Sequence, residues 1–449
     1  MQRLSRFGLI PLICLMVMVI IVPAWAADII KIGVIGPMQF SQGKNMWNGA
    51  EMITDKINAE GGIKVGNKKM QIELIKADSK EFTSAPEAAA KIMEELITRD
   101  KVDFVVGGFR TEAVLAMQDV AMDHKVIFVG AGAAHPELCD RVVRNYDRYK
   151  YWFRGTPFNS NYMVKTLFMQ LRSVATLLKQ RLNLDRVKVA ILAEKAMWVD
   201  PMVKAAEAFV PKMGLEVVGI WRPEANAKDL SAELTAIRGS GAQIIFTILS
   251  GPAGIPLAKQ AGEMKIPAVQ VGINVESAKE GFWEATQGMG NYVMALNNYV
   301  PGAEYNDLTA AFVNGYMQRY GEVPVYNANT YEIIGTYLRS AIEKAGTLDP
   351  QKLIPLIEEG TYKVSSGVVA FEKDEQARPT HDLKWGPGYT TSLGVQWQDG
   401  KMVAVWPHFK WMSPYWEFSV EPPDKPNELS YKGLKPFVIP PWMVTAYKK

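Results

Sequence analysis

From Ile30 onward, short β runs alternate with amphipathic helices, and this order restricts the chain more than any single motif in it. The run IIKIGVI at 29–35 reads as a strand closed by Gly36-Pro37. Trp47, Ala50, Ile53 and Ile57 then recur at three- and four-residue spacing, which predicts a helix over 46–60 stopped by Gly61-Gly62. Strands at 70–75, 102–106 and 126–129, with helices at 84–99 and 111–123, repeat the unit, the first of these helices opened by a Ser84-x-x-Glu87 capping box. Strand, helix and strand in this rhythm imply a parallel sheet with right-handed crossovers. A second series follows Pro157, with strands at 187–192, 215–220, 242–249 and 268–272 and helices at 199–213, 229–238 and 255–264. The fold class is therefore α/β, two open sheets written one after the other. After a strand at 292–296, helices at 307–320, 327–345 and 350–359 are too many for a third sheet and are expected to return to the earlier two, before short β runs at 367–371, 394–398 and 401–405. The stretch from Pro407 holds eight of the 26 prolines in 43 residues, which excludes a long helix. It predicts an extended segment that packs Trp411, Trp416 and Trp442 against a lobe.

The N-terminus is an address. Arg3 and Arg6 precede an apolar run from Phe7 to Val22, and Ala24-Trp25-Ala26 supplies an A-x-A exit, so residues 1–26 read as a cleaved secretory signal peptide. An uncleaved anchor is the rival reading, since the run approaches the ~18 residues a spanning helix needs. Cys14 does not make a lipidation site, because Ile13 precedes it where a small residue is wanted. Removing 26 of the 449 residues leaves 423, and with Arg3 and Arg6 gone the formal charge falls from +3 to +1. The mature chain then carries one thiol, Cys139, which can form no internal disulfide. An exported, extracytoplasmic or periplasmic protein is expected.

Composition and motifs exclude much chemistry. With Lys+Arg 50 against Asp+Glu 47 there is no basic excess to bind nucleic acid. Two Cys and four His without ligand spacing leave no metal site, and no cofactor fingerprint occurs. No nucleophile elbow, Walker loop or zinc-protease motif is present, so no catalytic residue is assigned. Ser250 and Ser366 lie in Ser-Gly turns, and His381-Asp382 is the one adjacent pair that could form a dyad or simply a polar loop.

Open α/β sheets bind ligands at the carboxyl ends of their strands. Three loops of the first lobe sit there: GPMQFSQGKN at 36–45, GGFRTE at 107–112 and GAGAAHP at 130–136. Arg110 either forks a carboxylate in the cleft or pairs with Glu112 at the surface. At these loops the sequence resembles the type I periplasmic binding proteins of the leucine/isoleucine/valine class, which feed ABC importers. The carrying segments are KIGVIGPM at 31–38, GAEMITDKINAEGGI at 49–63, VDFVVGG at 102–108, AAHPEL at 133–138, YWFRGTPFN at 151–159 and WQDGKMVAVWP at 397–407. The resemblance implies two Rossmann-like lobes joined by three crossover strands, near Pro157, Asn298 and His381. It implies an N-terminal lobe of 27–157 plus 299–381, a C-terminal lobe of 158–298 plus 382–407, and a Pro/aromatic-rich C-terminal extension over 408–449. Its ligand shell falls on Gln42, Thr111, Gly132, Ala134, Asn159, Ser250 and Asn274, with Arg110 added from the loop itself. In amino-acid-binding members acidic residues stand at the Asn159 and Asn274 positions and hold the ammonium. Two asparagines there favour a small carboxylate or amide-like solute over a branched-chain amino acid. The expected protein is a monomer that closes on its solute and delivers it to a membrane permease, with a ligand-sensing module on the same architecture as the alternative and an exported hydrolase as a distant third.

Overall fold

The computed structural model describes residues 29–279, 281–386, 388–412, 415–423 and 430–447, and the side chains of 411–416 are not part of that description. The signal-peptide reading of residues 1–26 lies outside the described residues, as do the side chains of Trp411 and Trp416. No described helix is long and apolar enough to cross a membrane.

The first sheet has six strands in the order Ile63–Val65, Lys68–Asp78, Ile29–Gly36, Phe104–Gly107, Ile127–Gly130 and Trp152–Arg154. All pair in parallel except the short first strand. Ile32, Val34, Phe104, Val105 and Phe128 are wholly buried, as a parallel sheet covered on both faces requires. The second sheet runs Lys401–Trp406, Leu393–Gln398, Met294–Asn297, Val269–Asn274, Ile244–Leu249, Lys188–Ala193 and Glu216–Trp221. Its first two strands come from late in the chain and join antiparallel. The two sheets are the cores of two lobes, and the chain passes between them after Arg154, after Asn297 and after Leu383.

The late helices return as expected, to the first lobe. Helix Asp307–Tyr320 and the segment that follows seat on helix Ser41–Ala59: the Tyr316 hydroxyl donates to Asn45 Oδ1 at 2.8 Å, and the Thr330 hydroxyl to the Met46 carbonyl at 2.6 Å. Gly49 allows this approach, since a Cβ there would sit 2.2 Å from the Ala328 carbonyl oxygen.

Four expectations need correction. The first helix begins at Ser41 instead of Met46, so the polar end of the first loop is helical. Ser84 caps nothing: helix Pro86–Thr98 takes Ala85 as its N-cap residue and Pro86 at its first position. The helix expected at 327–345 is broken into 3₁₀, α, π and α pieces between Tyr326 and Ala345. The longest helix among the described residues, Ser160–Arg181, was not anticipated, although Leu167, Leu171, Val174 and Leu178 form its buried stripe.

The final stretch crosses from the crossovers to the second lobe. Glu304 and Lys432 pair backbone to backbone, Val438 exchanges two hydrogen bonds with the Gln396 side chain, and the half-buried Trp442 donates its indole N–H to the Ile266 carbonyl at 2.9 Å. Phe437 and Met443 are buried there. Burying one such side chain contributes about 1.5–3 kcal/mol. A chain ending at Pro407 is therefore expected to unfold at a temperature several degrees lower, and a melting curve unchanged by the truncation would refute this.

Candidate functional site

A cavity lies where the carboxyl ends of both sheets meet. Its first-lobe floor is the turn from strand Phe104–Gly107 into helix Thr111–Asp123, where Arg110, Thr111 and Glu112 line it, with Gly132 and Ala134 from the next loop. Gly132 leaves no choice of side chain, because a Cβ there would come within 2.5 Å of the Gly108 carbonyl oxygen. Across the cleft, Phe158, Met163, Trp198, Ile273 and Val275 make an apolar wall, and Tyr326 and Leu296 extend it. Asn297, Asn298 and Ser392 face in from two of the crossovers, with the Ser392 hydroxyl donating to Asn298 Oδ1 at 2.7 Å. The space open to water centres is about 60 Å³. At about 10–15 Å³ per water centre and about 30 Å³ of liquid for each, this corresponds to roughly 120–180 Å³, the size of a solute with on the order of ten non-hydrogen atoms.

The anionic and cationic groups sit at one end. Arg110 is partly buried, its guanidinium 5.7 Å above the Phe82 ring centroid and Nη2 3.7 Å from Glu112 Oε1. Arg110 thus lines the cavity and neighbours Glu112 there, so the pairing with Glu112 is not confined to the surface. The Thr111 hydroxyl is buried without a protein partner. Behind this turn lies Glu81, a buried carboxylate that accepts the Ser79 hydroxyl at 2.6 Å, the Phe109 amide at 3.0 Å and the Arg110 amide. Burial is the largest influence on it and pushes its pKa up from 4.5 to about 7, against the pull of Ser79, the two amides and the Arg110 charge.

Of the residues expected at the site, Arg110, Thr111, Gly132, Ala134 and Ser250 line the cavity, and Gln42, Asn159 and Asn274 do not. Gln42 is buried inside the first helix, accepting from the Ser41 hydroxyl at 3.3 Å. Asn159 caps helix Ser160–Arg181 through Oδ1 and donates Nδ2 to Asp382 Oδ2 at 2.9 Å. Asn274 donates to the Gly254 carbonyl at 3.0 Å, bracing the start of the helix Gly254–Glu263 that precedes its own strand. The argument from two asparagines against an ammonium ligand thus loses its structural footing, since neither lines the cavity, while a carboxylate, Glu112, does. Ser250 gives its hydroxyl to Glu194, which also accepts the Ser250 and Gly251 amides at 2.8 and 2.9 Å and the Trp198 indole at 3.2 Å. Glu194 stands at the end of strand Lys188–Ala193, where the strand-end rule alone would have pointed to it. His381 and Asp382 are no dyad: the His381 ring is held by the Trp152 carbonyl and by Glu358, each at 2.6 Å, and Asp382 pairs with Arg154. Cys139 is buried, and burial pushes its thiol up, away from the reactive thiolate.

Two lobes of parallel sheet, three crossovers and a solute-sized cavity between the strand ends define a hinged two-lobe binding protein. Residues 29–385 match the family model described as periplasmic binding protein, and the chain belongs to that family. It is similar to a Leu/Ile/Val-binding protein homolog from Brucella abortus, 24% identical over a 375-residue match that covers 80% of this chain and 86% of the relative. Among solved structures it is similar to an ABC transporter solute-binding protein from R. palustris in complex with benzoate, with TM-score 0.67, 16% identity and coverage of 84% of this chain and 96% of that one. It is also similar to a branched-chain amino acid transporter substrate-binding protein from Streptococcus pneumoniae in complex with isoleucine, with TM-score 0.68, 21% identity and coverage of 84% and 98%.

Proposed function

We infer that this chain is an extracytoplasmic solute-binding protein that captures a small organic carboxylate with an apolar body and hands it to the membrane permease of an ABC importer. The carrying observation is the cavity's two-part chemistry. Arg110 and the unpartnered Thr111 hydroxyl stand at a helix N-terminus, where an anion is favoured, and the wall opposite is aromatic and aliphatic. Benzoate and isoleucine, bound by two proteins of the same fold, share that design of acid end and apolar body. Contacts from both lobes and the crossovers make closure depend on the solute, which favours the closed arrangement by its differential affinity. The chain acts as a monomer, exported by the segment at 1–26, and binds without turnover.

A thermal-shift screen of aliphatic and aromatic carboxylates against matched amides and alcohols tests this. A solute at about 100 times its dissociation constant adds roughly 2.7 kcal/mol of apparent stability. Carboxylates are expected to shift the melting temperature and their amides and alcohols to do so far less. Arg110→Ala, removing a charged hydrogen-bond donor worth about 1.5–3 kcal/mol, should weaken carboxylate binding by roughly 10- to 100-fold. Equal binding of acids and their neutral analogues would refute the reading.

A further inference from the structure

We propose that Glu194, a buried carboxylate behind the second-lobe wall, restricts the cavity to solutes with a single acid group and turns away dicarboxylates. The inference rests on the carboxylate reading above and narrows its ligand class. Glu194 is wholly buried and directly follows strand Lys188–Ala193. Its Oε2 accepts the Ser250 and Gly251 amides at 2.8 and 2.9 Å, and its Oε1 accepts the Ser250 hydroxyl and the Trp198 indole N–H. An ionised carboxylate can only accept, and all four contacts use it so. Both Ser250 and Trp198 line the cavity. Gly251 pins the turn in place, since a Cβ there would come within 2.3 Å of the Ala225 carbonyl oxygen.

Successive backbone amides in a turn after a strand are a natural seat for an anion. In each lobe a protein carboxylate already holds such a pair: Glu81 takes the Phe109 and Arg110 amides of the first, and Glu194 the Ser250 and Gly251 amides of the second. The lobes differ in what stands in front. Among the described residues lining the cavity the charged ones are Arg110 and Glu112, both of the first lobe, so a solute acid finds its cation there and has none to meet in the second. Arg222 reaches the Glu194 main-chain carbonyl, but its charge pairs with Asp200 at 2.8 Å. A solute with its acid at Arg110 and Thr111 lays its far end against Trp198 and Ser250, and Glu194 is bonded to both from behind. A second carboxylate at that end would find the amides taken and a like charge beyond them, where burial leaves little screening by salt. The neutral donors among the lining residues, the Asn298 amide and the Tyr326 hydroxyl, do not reverse this, since they serve an amide oxygen as well as a carboxylate. Glu112 acts at the shared acid end and does not distinguish one far end from another. A repulsive group set against the near relative of a ligand gives specificity that attraction alone does not.

The test is isothermal titration of wild type, E194Q and E194D with hexanoate, adipamate and adipate, which share one acid end and a six-carbon chain and differ at the far end as methyl, amide and carboxylate. Adipamate and adipate have the same size, so their comparison isolates the second charge. In wild type, adipate is expected to bind at least tenfold more weakly than adipamate. Glutamine keeps the size of the side chain and one acceptor, removes the charge and leaves part of the Ser250–Gly251 turn free for an anion. In E194Q the gap should therefore close to within about threefold because adipate binds more tightly than it does to wild type, a gain that a merely structural role would not produce. E194D keeps the charge and should keep the gap. Adipate binding as well as adipamate in wild type, a gap that survives in E194Q or vanishes in E194D, or an equal loss of all three solutes in E194Q would overturn the inference and leave the carboxylate reading standing. No binding of hexanoate, adipamate or adipate by wild type would overturn both. The wild-type comparison can overturn the inference whatever the fold of the variants.

Discussion

Replacing Asp382 by alanine is expected to cost about 3–5 kcal/mol of stability, because it leaves the Arg154 guanidinium buried without its counter-charge. Arg154 is wholly buried and donates Nε to Asp382 Oδ1 at 2.7 Å, with its remaining nitrogens on the carbonyls of Ala133 and His135. The other oxygen of Asp382 takes the Asn159 amide at 2.9 Å. One carboxylate thus fastens the end of the first sheet, the loop that carries Gly132 and Ala134, and the cap of the first helix past the crossover. Asp382→Asn keeps the shape and part of the hydrogen bonding and should lose less, about 1.5–3 kcal/mol. Urea unfolding of the two variants measures both, and a loss below about 1 kcal/mol in Asp382→Ala would show that the arginine finds water or another partner.

The second large effect is a dependence on pH. Glu81 has a folded pKa of about 7 against 4.5 as a free side chain. The folded state therefore holds a proton that the unfolded chain has already released between those values. Stability tied to this group is fully present below pH 4.5 and is lost as pH rises through about 7. The displacement corresponds to about 3 kcal/mol. The difference in unfolding free energy between wild type and Glu81→Gln, followed from pH 4.5 to 8, should fall by about that amount as pH rises, because groups common to both cancel. Parallel curves would refute it. The group behind the ligand turn is thereby held at a cost, and its two amide contacts at Phe109 and Arg110 are what the cost secures.

Much of this was legible in the sequence, for a physical reason. The period of the apolar residues marked strands and helices, and strand ends marked where the loops of the first lobe converge, so Arg110 was singled out in its loop, while Thr111, Gly132, Ala134 and Ser250 came from the family resemblance, and all five line the cavity. Gln42, Asn159 and Asn274 were misplaced because short polar side chains near element ends bond to neighbouring backbone or cap helices, which no spacing distinguishes from facing a ligand. Glu112 was seen but could not be aimed, since its contact with Met197 comes from the other lobe. Trp198, Asn297 and Ser392 went unnoticed, and Asn298 was named only as a crossover, for the same reason: they reach the cavity only through the way the lobes meet. Glu81 follows a strand with no local pattern to single it out, and its importance comes wholly from burial. The unforeseen helix Ser160–Arg181 is different, because its cap and stripe could have been read.

The return of the late helices also sets a clock. The bond from Thr330 to Met46 joins residues 284 positions apart, and that from Tyr316 to Asn45 joins residues 271 apart. The first lobe cannot seal its earliest helix until three quarters of the chain has been synthesised. Contacts of such long range form slowly, since the loop between them must be closed before they contribute. During translation helix Ser41–Ala59 consequently waits many seconds for these late partners at ordinary elongation rates of about 5–20 residues per second. In a family of periplasmic proteins such a delay suits threading through a translocation pore, and the topology supplies it without a separate device to hold the chain unfolded.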